Sequence, residues 1–276
     1  MNRRIEFRKK VQGILDTFEP GTLDYNESDF WIIQPMYEYL EYYAVENELV
    51  NMAVALPLAR GLHNGTYRKS SIVRDGAVFR LPYVYHCLSV CRMLADMLVP
   101  ISKEDEDILL ASALCHDMIE DVKFENHGLE LTDKYHLDPR VYNTVKLVSK
   151  RKDFTEEEER AHFHGIESDP LALMVKLSDR GNNVEDMYNM SAWKVHEYVG
   201  ETRDRMLPMC EYGLKHFPEL APALEILQNK IESLIEVSEI LVDRYEDRQK
   251  ELEAQLAELK EENARLRGIW KKLWEE

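Results

Sequence analysis

Glycine and proline are scarce in this chain, at 11 and 10 of 276 residues. Apolar residues recur mostly at three- and four-residue spacing between them, which predicts an all-α fold. Cysteine is scarcer still. Four residues (Cys87, Cys91, Cys115, Cys210) in apolar, helix-like contexts are too few for a disulfide framework and wrongly spaced for a CxxC zinc site. No apolar run approaches the roughly 18 residues of a membrane span. The basic opening MNRRIEFRKKVQG lacks the apolar region of a signal peptide. The reading is a cytoplasmic protein with no membrane partner. Positive charge is also short, with 35 Lys and Arg against 52 Asp and Glu and a net charge of −17. Bulk charge of this sign excludes nucleic acid held by general attraction. A phosphorylated ligand would need basic groups gathered locally.

What is present suffices for a real core: 45% of residues are hydrophobic. The length suits one domain of about 200 residues with an added element, or two small domains. No internal repeat is visible. Residues 1–18 read as one short helix, DFWIIQPMYEYLEYYAV as a second broken at Pro35, and ELVNMAVALPLARGLH as a third. Further helices are expected at 84–98, 105–118, 139–149, 156–165, 170–188 and 192–216, with FPELAP as a stop. The exception is SSIVRDGAVFRLPY, where Asp75-Gly76 between two β-prone runs signals a two-residue hairpin.

From about residue 222 the composition changes to Glu, Leu and Lys. Leu252, Leu259, Leu266 and Leu273 recur every seven residues, and Leu256, Asn263 and Trp270 occupy the other core position of the heptad. A single Asn there favours a two-stranded parallel coiled coil, and Glu262 with Arg267 fits a pair across it. The phase runs back through Tyr245, Val242, Ile235 and Ile231. A homodimer through this helix is expected. The competing reading is a lone amphipathic helix packed on its own domain.

The stretch LLASALCHDMIEDVKF begins as an apolar helix and then sets His116, Asp117, Glu120 and Asp121 within six residues. His86 starts an amphipathic helix in PYVYHCLSVCRML, and Asp179 ends an apolar one in LALMVKLSDRGNN. Two histidines and two aspartates on three helices can converge on one divalent ion, and imidazole with carboxylate suits Mn, Fe or Zn better than Ca. The same residues taken singly also suit a half-buried histidine, a helix-end carboxylate and a cap.

YRKS, PYVYH, HDMIED and VKLSDRGNN, in that order over roughly residues 40–215, resemble the hydrolase domain of the RelA/SpoT family, a group of HD-domain phosphohydrolases. The resemblance implies an HD-domain helical bundle; with the hairpin and heptad read above, the expected fold is all-α, an HD-domain helical bundle with a short β-hairpin and a long C-terminal coiled-coil-like helix. Residues 1–40 would be an N-terminal helical extension, 41–220 the hydrolase and 221–276 the long helix. It implies Mn²⁺ on His86, His116, Asp117 and Asp179, with Glu120 and Asp121 catalytic. It implies a nucleotide substrate, (p)ppGpp, whose 3′-pyrophosphate is removed. Substrate contacts would fall on Arg68, Lys69 and Asn183, with Arg80 and Arg151 as further candidates. No synthetase domain is expected after residue 222, which implies a small alarmone hydrolase.

The chain also departs from the family pattern. Arg68 lies eighteen residues ahead of His86 where the family has nine, so the hairpin is longer and Arg80 could take the place of Arg68. Cys87 stands where the family has Pro, and Gly181-Asn182 where it has Leu-His. These changes leave open a 3′-pyrophosphorylated adenine nucleotide or the 2′-phosphate of NADPH as substrate. A dimeric nucleotide-binding regulator with little turnover is the reading from another class.

Overall fold

The computed structural model describes residues 2–19, 27–74, 76–97, 99–122, 124–151 and 153–275. Apart from one hairpin the fold is all-α. Helices α1 (Asn2–Leu15), α2 (Glu27–Asn47) and α3 (Val50–Leu62) lead into strands β1 (Tyr67–Arg74) and β2 (Ala77–Pro82). There follow α4 (Val84–Asp96), α5 (Lys103–Cys115), the single turns α6 (Met118–Asp121) and α7 (Glu130–Asp133), and α8 (Pro139–Val148). The rest is α9 (Glu156–Glu167), α10 (Pro170–Glu185), α11 (Ala192–Glu201), α12 (Leu207–His216) and the long α13 (Ala221–Glu275). Among the described residues no helix is long and apolar enough to cross a membrane.

Helix α10 is the axis of the fold. It touches α4, α5, α8, α9 and α13, and Leu173, Met174, Val175 and Leu177 on it are fully buried. Residues of α1 and α2, including Phe7, Val11, Ile33 and Leu40, join the same buried cluster as α3, α4 and α5. These residues of α1 and α2 therefore share the core of the segment that follows them.

Local chemistry sets the helix starts around the site. Ser102 accepts from Asp105 N–H at 3.1 Å to begin α5, whose first turn carries Glu104, Asp105 and Glu106 against the positive end of the helix dipole. Asp138-Pro139 begins α8 and Asp169-Pro170 begins α10, each with an aspartate cap and proline at the first turn. Thr155 and Glu158 form a reciprocal capping box on α9.

The start of α3 lacks a cap of its own, and Asp107 of α5 supplies one. Its Oδ2 accepts from Asn51 N at 3.0 Å and Asn51 Nδ2 at 2.9 Å, and its Oδ1 from Met52 N at 2.9 Å. Charge-assisted bonds of this kind contribute roughly 1.5–3 kcal/mol. Asp107→Ala is expected to lower the melting temperature by on the order of 5–10 °C, read by circular dichroism.

Three expectations are corrected. Pro35 does not break α2, which runs from Glu27 to Asn47. Proline removes one helix hydrogen bond, but Pro35 is exposed, so the freed carbonyl meets water. Ile33, Leu40 and Ala44, all fully buried, hold the helix to the core on the other face. The segment 105–118 is two elements, because α5 ends at Cys115 and a new turn starts at Met118. The span 192–216 is interrupted at Thr202–Met206 by a wider π turn, two residues before Pro208, which has no N–H to continue an α ladder.

The hairpin begins earlier than expected, at Tyr67, and pairs Ser71 with Arg80 and Arg74 with Ala77. Asp75 of the expected turn lies outside the described residues, and Gly76 has the left-handed φ of +78° that the turn requires. The first turns of α13 pack on the body: Leu224, Leu227, Ile231 and Ile235 are buried. Ile231 and Ile235 join Val184, Met187, Val195 and Val199 in a second small core. From Asp247 onward every described side chain of α13 is exposed.

Candidate metal centre

The break between α5 and α6 creates the centre. His116 closes α5 and Asp117 opens α6 with a backbone near φ −92°, ψ −4°. That kink aims both side chains the same way, toward His86 on the first turn of α4 and Asp179 near the end of α10. The two Nε2 atoms of His86 and His116 lie 3.1 Å apart. Asp117 Oδ2 is 3.5 Å from the first and 3.1 Å from the second, and Asp179 Oδ1 is 3.1 and 3.7 Å from them. Both histidines are almost fully buried.

The tautomers are fixed from outside. His86 Nδ1 donates to Asn182 Oδ1 at 2.6 Å, and His116 Nδ1 donates to the Ala113 carbonyl at 2.8 Å. Each ring therefore turns an Nε2 lone pair inward, and two lone pairs cannot satisfy each other. Two lone pairs and two carboxylates around one point call for a positive charge at that point. This donor set fits a divalent cation with nitrogen and oxygen preference. Cys87 is also near His116 and Asp117. Its thiol is fully buried and pushed well up by burial and by Asp117, which favours the protonated form.

Without a metal, a proton takes that place. Burial opposes charge on His116, but Asp117 and Asp179 outweigh it and hold the imidazole well above its usual value. Asp117 and Asp179 are correspondingly held low against their own burial, Asp117 chiefly by His116 and Asp179 first by Lys176, whose Nζ is 3.4 Å away. A group whose value is raised keeps its proton until the pH passes that value, so an incoming cation must displace the proton below it. Divalent-ion affinity is expected to rise with pH through neutrality by about tenfold per unit for each proton released, as titration calorimetry in buffers of different ionisation enthalpy would show.

Glu120 and Asp121 sit on α6, one turn beyond. Burial raises both, and Asp117 adds to it; the hydrogen bond from Lys150 N–H opposes the shift on Glu120, and that from Tyr83 opposes it on Asp121. Lys150 N lies 2.6 Å from Glu120 Oε1. Arg68 reaches the rim: its Nη2 donates to Asn183 Oδ1 at 2.7 Å and pairs with Asp186 at 3.0 Å. Asn183 Nδ2 in turn donates to Asp179 Oδ1 at 2.5 Å. Arg80 does not replace Arg68; its guanidinium lies over the Tyr67 ring at 5.2 Å. Lys69 is exposed. Arg151 is drawn away by Asp153 and Glu158 and lies over Phe154.

Two supporting residues were not anticipated. Tyr83 OH donates to Asp117 Oδ2 at 2.7 Å and so orients that carboxylate. Its ring stacks on His63, whose imidazole burial pushes down to about 4. Asn182 continues outward through Glu185 at 3.0 Å to Lys230 of α13 at 2.6 Å. Their sequence signal was faint: Tyr83 lies three residues ahead of His86, and Asn182 lies three after Asp179. Asn182→Leu, which removes the acceptor for His86 Nδ1, is expected to weaken divalent-ion binding by about 10–100-fold, read by calorimetry.

Residues 83–183 match the family described as HD domain, a span that runs from Tyr83 to Asn183 and holds all four converging side chains. The chain resembles an HD-domain phosphohydrolase of the RelA/SpoT kind. A protein of Synechocystis sp. named probable guanosine-3′,5′-bis(diphosphate) 3′-pyrophosphohydrolase is 23% identical over 177 residues, or 62% of this chain. The chain spans 22% of that relative's length. Arg68 and Lys69 lie ahead of the matched HD segment, in the hairpin.

Proposed function

We propose that the protein is a metal-dependent hydrolase of the 3′-pyrophosphate of (p)ppGpp, leaving GDP or GTP and pyrophosphate. The observation that carries this reading is the pair of outward-anchored histidines whose Nε2 atoms meet 3.1 Å apart between two carboxylates. The name of the Synechocystis relative supports the substrate. His86, His116, Asp117 and Asp179 hold the ion, which we assign as Mn²⁺. When bound, such an ion polarises a phosphoryl oxygen and acidifies water.

The side chains do the rest. The attacking water bonds to the phosphorus next to the ribose 3′ oxygen, the P–O3′ bond breaks, and the 3′ oxygen takes up a proton. Asp121, raised like Glu120 chiefly by burial and so a stronger base, accepts a proton from the water side. Glu120, whose neutral form is favoured by burial and by Asp117 and Asp179, gives one to the departing oxygen. Arg68 and Asn183 bind the nucleoside side of the substrate. Lys69 is exposed and can swing toward phosphate; Arg80 shapes the hairpin, and Arg151 stays with Asp153 and Glu158.

The test is pyrophosphate release from ppGpp with and without Mn²⁺, beside a 3′-pyrophosphorylated adenine nucleotide and NADPH. Metal-dependent release with at least tenfold preference for the guanine substrate supports the proposal; such a preference is about 1.4 kcal/mol of discrimination. Preference for another of the substrates would move specificity and keep the chemistry. Tight binding of ppGpp without turnover, with metal supplied, would make the protein a nucleotide-responsive regulator.

A further inference from the structure

The outer part of α13 carries an apolar stripe that its own chain does not cover. Leu252, Leu256, Leu259, Leu266 and Trp270 are 47–63% exposed, although they are large and aliphatic or aromatic. Ile235 and Ile231 have the same phase but are buried against the body, so the stripe free for a partner starts near Tyr245. A lone helix of this length in water gains little from such a face; it is stabilised when the face is buried.

We infer that the stripe is the seam of a parallel, in-register coiled coil with a second copy of this chain. The heptad assigns Tyr245, Leu252, Leu259 and Leu266 to d and Gln249, Leu256, Asn263 and Trp270 to a. Leucine at d and one asparagine at a are the choice for two parallel strands. The flanks agree independently. In a parallel pair each g residue meets the e residue five positions on in the partner. That gives Arg248 with Glu253, Gln255 with Lys260, Glu262 with Arg267, and Ile269 with Trp274. Two pairs are oppositely charged, one is polar, and the last is apolar on both sides. Ile269 and Trp274 are 47% and 79% exposed in the single chain, and this pairing covers both. An antiparallel pair would set g against g and e against e, and the match would be lost. The partner is therefore the same chain, and the two HD segments lie at the same end of the coil.

The four native cysteines are all buried, so a cysteine placed on the outer helix is the accessible thiol for cross-linking. Leu252→Cys and Leu266→Cys are made separately in the full chain, with Glu258→Cys at an outward position as control, and each is oxidised with diamide. The expected result is a disulfide-linked dimer for both leucine positions and little for the control. Light scattering of the wild type should give twice the chain mass of 32.5 kDa. A wild type that stays monomeric at tens of micromolar overturns the inference. So does cross-linking at no more than one of the two leucine positions, because an antiparallel homodimer brings identical residues together only at its centre. Neither outcome depends on whether ppGpp is hydrolysed.

Discussion

Asp117→Ala is expected to reduce metal-dependent pyrophosphate release by about a thousandfold or more, since under the proposed mechanism several kcal/mol of transition-state stabilisation depend on an ion held in part by Asp117. Asp117 Oδ2 faces both Nε2 atoms and is oriented by Tyr83 at 2.7 Å. Its removal takes one of four converging donors and leaves a buried hydroxyl and a buried imidazolium with less compensation. Calorimetry should record weakened ion binding in parallel with the lost rate. The α5–α6 break itself is held by Cys115, Met118 and the surrounding fully buried side chains, so the far-ultraviolet spectrum should remain helical. Rates equal to the wild type would remove Asp117 from the metal set.

Glu120→Gln is expected to lower kcat by about 10²–10⁴-fold, the range for loss of one general acid–base group. The amide oxygen still accepts from Lys150 N–H, so the local geometry of α6 is kept. Ion affinity should change little, which separates this variant from Asp117→Ala. The pH profile adds a second readout. Glu120 is raised from its usual value, chiefly by burial. As a proton donor it works below its raised value and fails as the pH climbs through it. The alkaline limb of the wild-type profile that comes from this loss should vanish in the glutamine variant. A variant with full activity and an unchanged profile would assign proton delivery elsewhere.

The comparison of chain and fold separates into local and global causes. Helix periodicity was legible because burial of one face demands it, and the hairpin was legible from turn chemistry around Gly76. The break after Cys115 was not legible. HDMIED continues the helical pattern, and nothing local distinguishes a kink from one more turn. Pro35 misled in the opposite direction: a local rule predicted a break, and burial of Ile33 and Leu40 kept the helix whole.

The site divides in the same way. Residue type and motif order marked His86, His116, Asp117 and Asp179, because only a few side chains can present lone pairs to a cation. Arg68 and Asn183 were named separately, and the structure joins them at 2.7 Å. Arg80 was named as a stand-in for Arg68 and Arg151 as a basic candidate, and an aromatic ring and nearby carboxylates hold them elsewhere.

The sequence by itself determined the helical class, the candidate donors His86, His116, Asp117 and Asp179, and the seven-residue leucine repeat, since each depends on residue type at a fixed spacing along the chain. Only the tertiary structure decided which partners fix the two histidine tautomers, which arginine reaches the rim, and where α13 stops being core and starts being free. Those depend on contacts between α4, α5, α10 and α13, far apart in the chain, and distance in space is not written in local spacing.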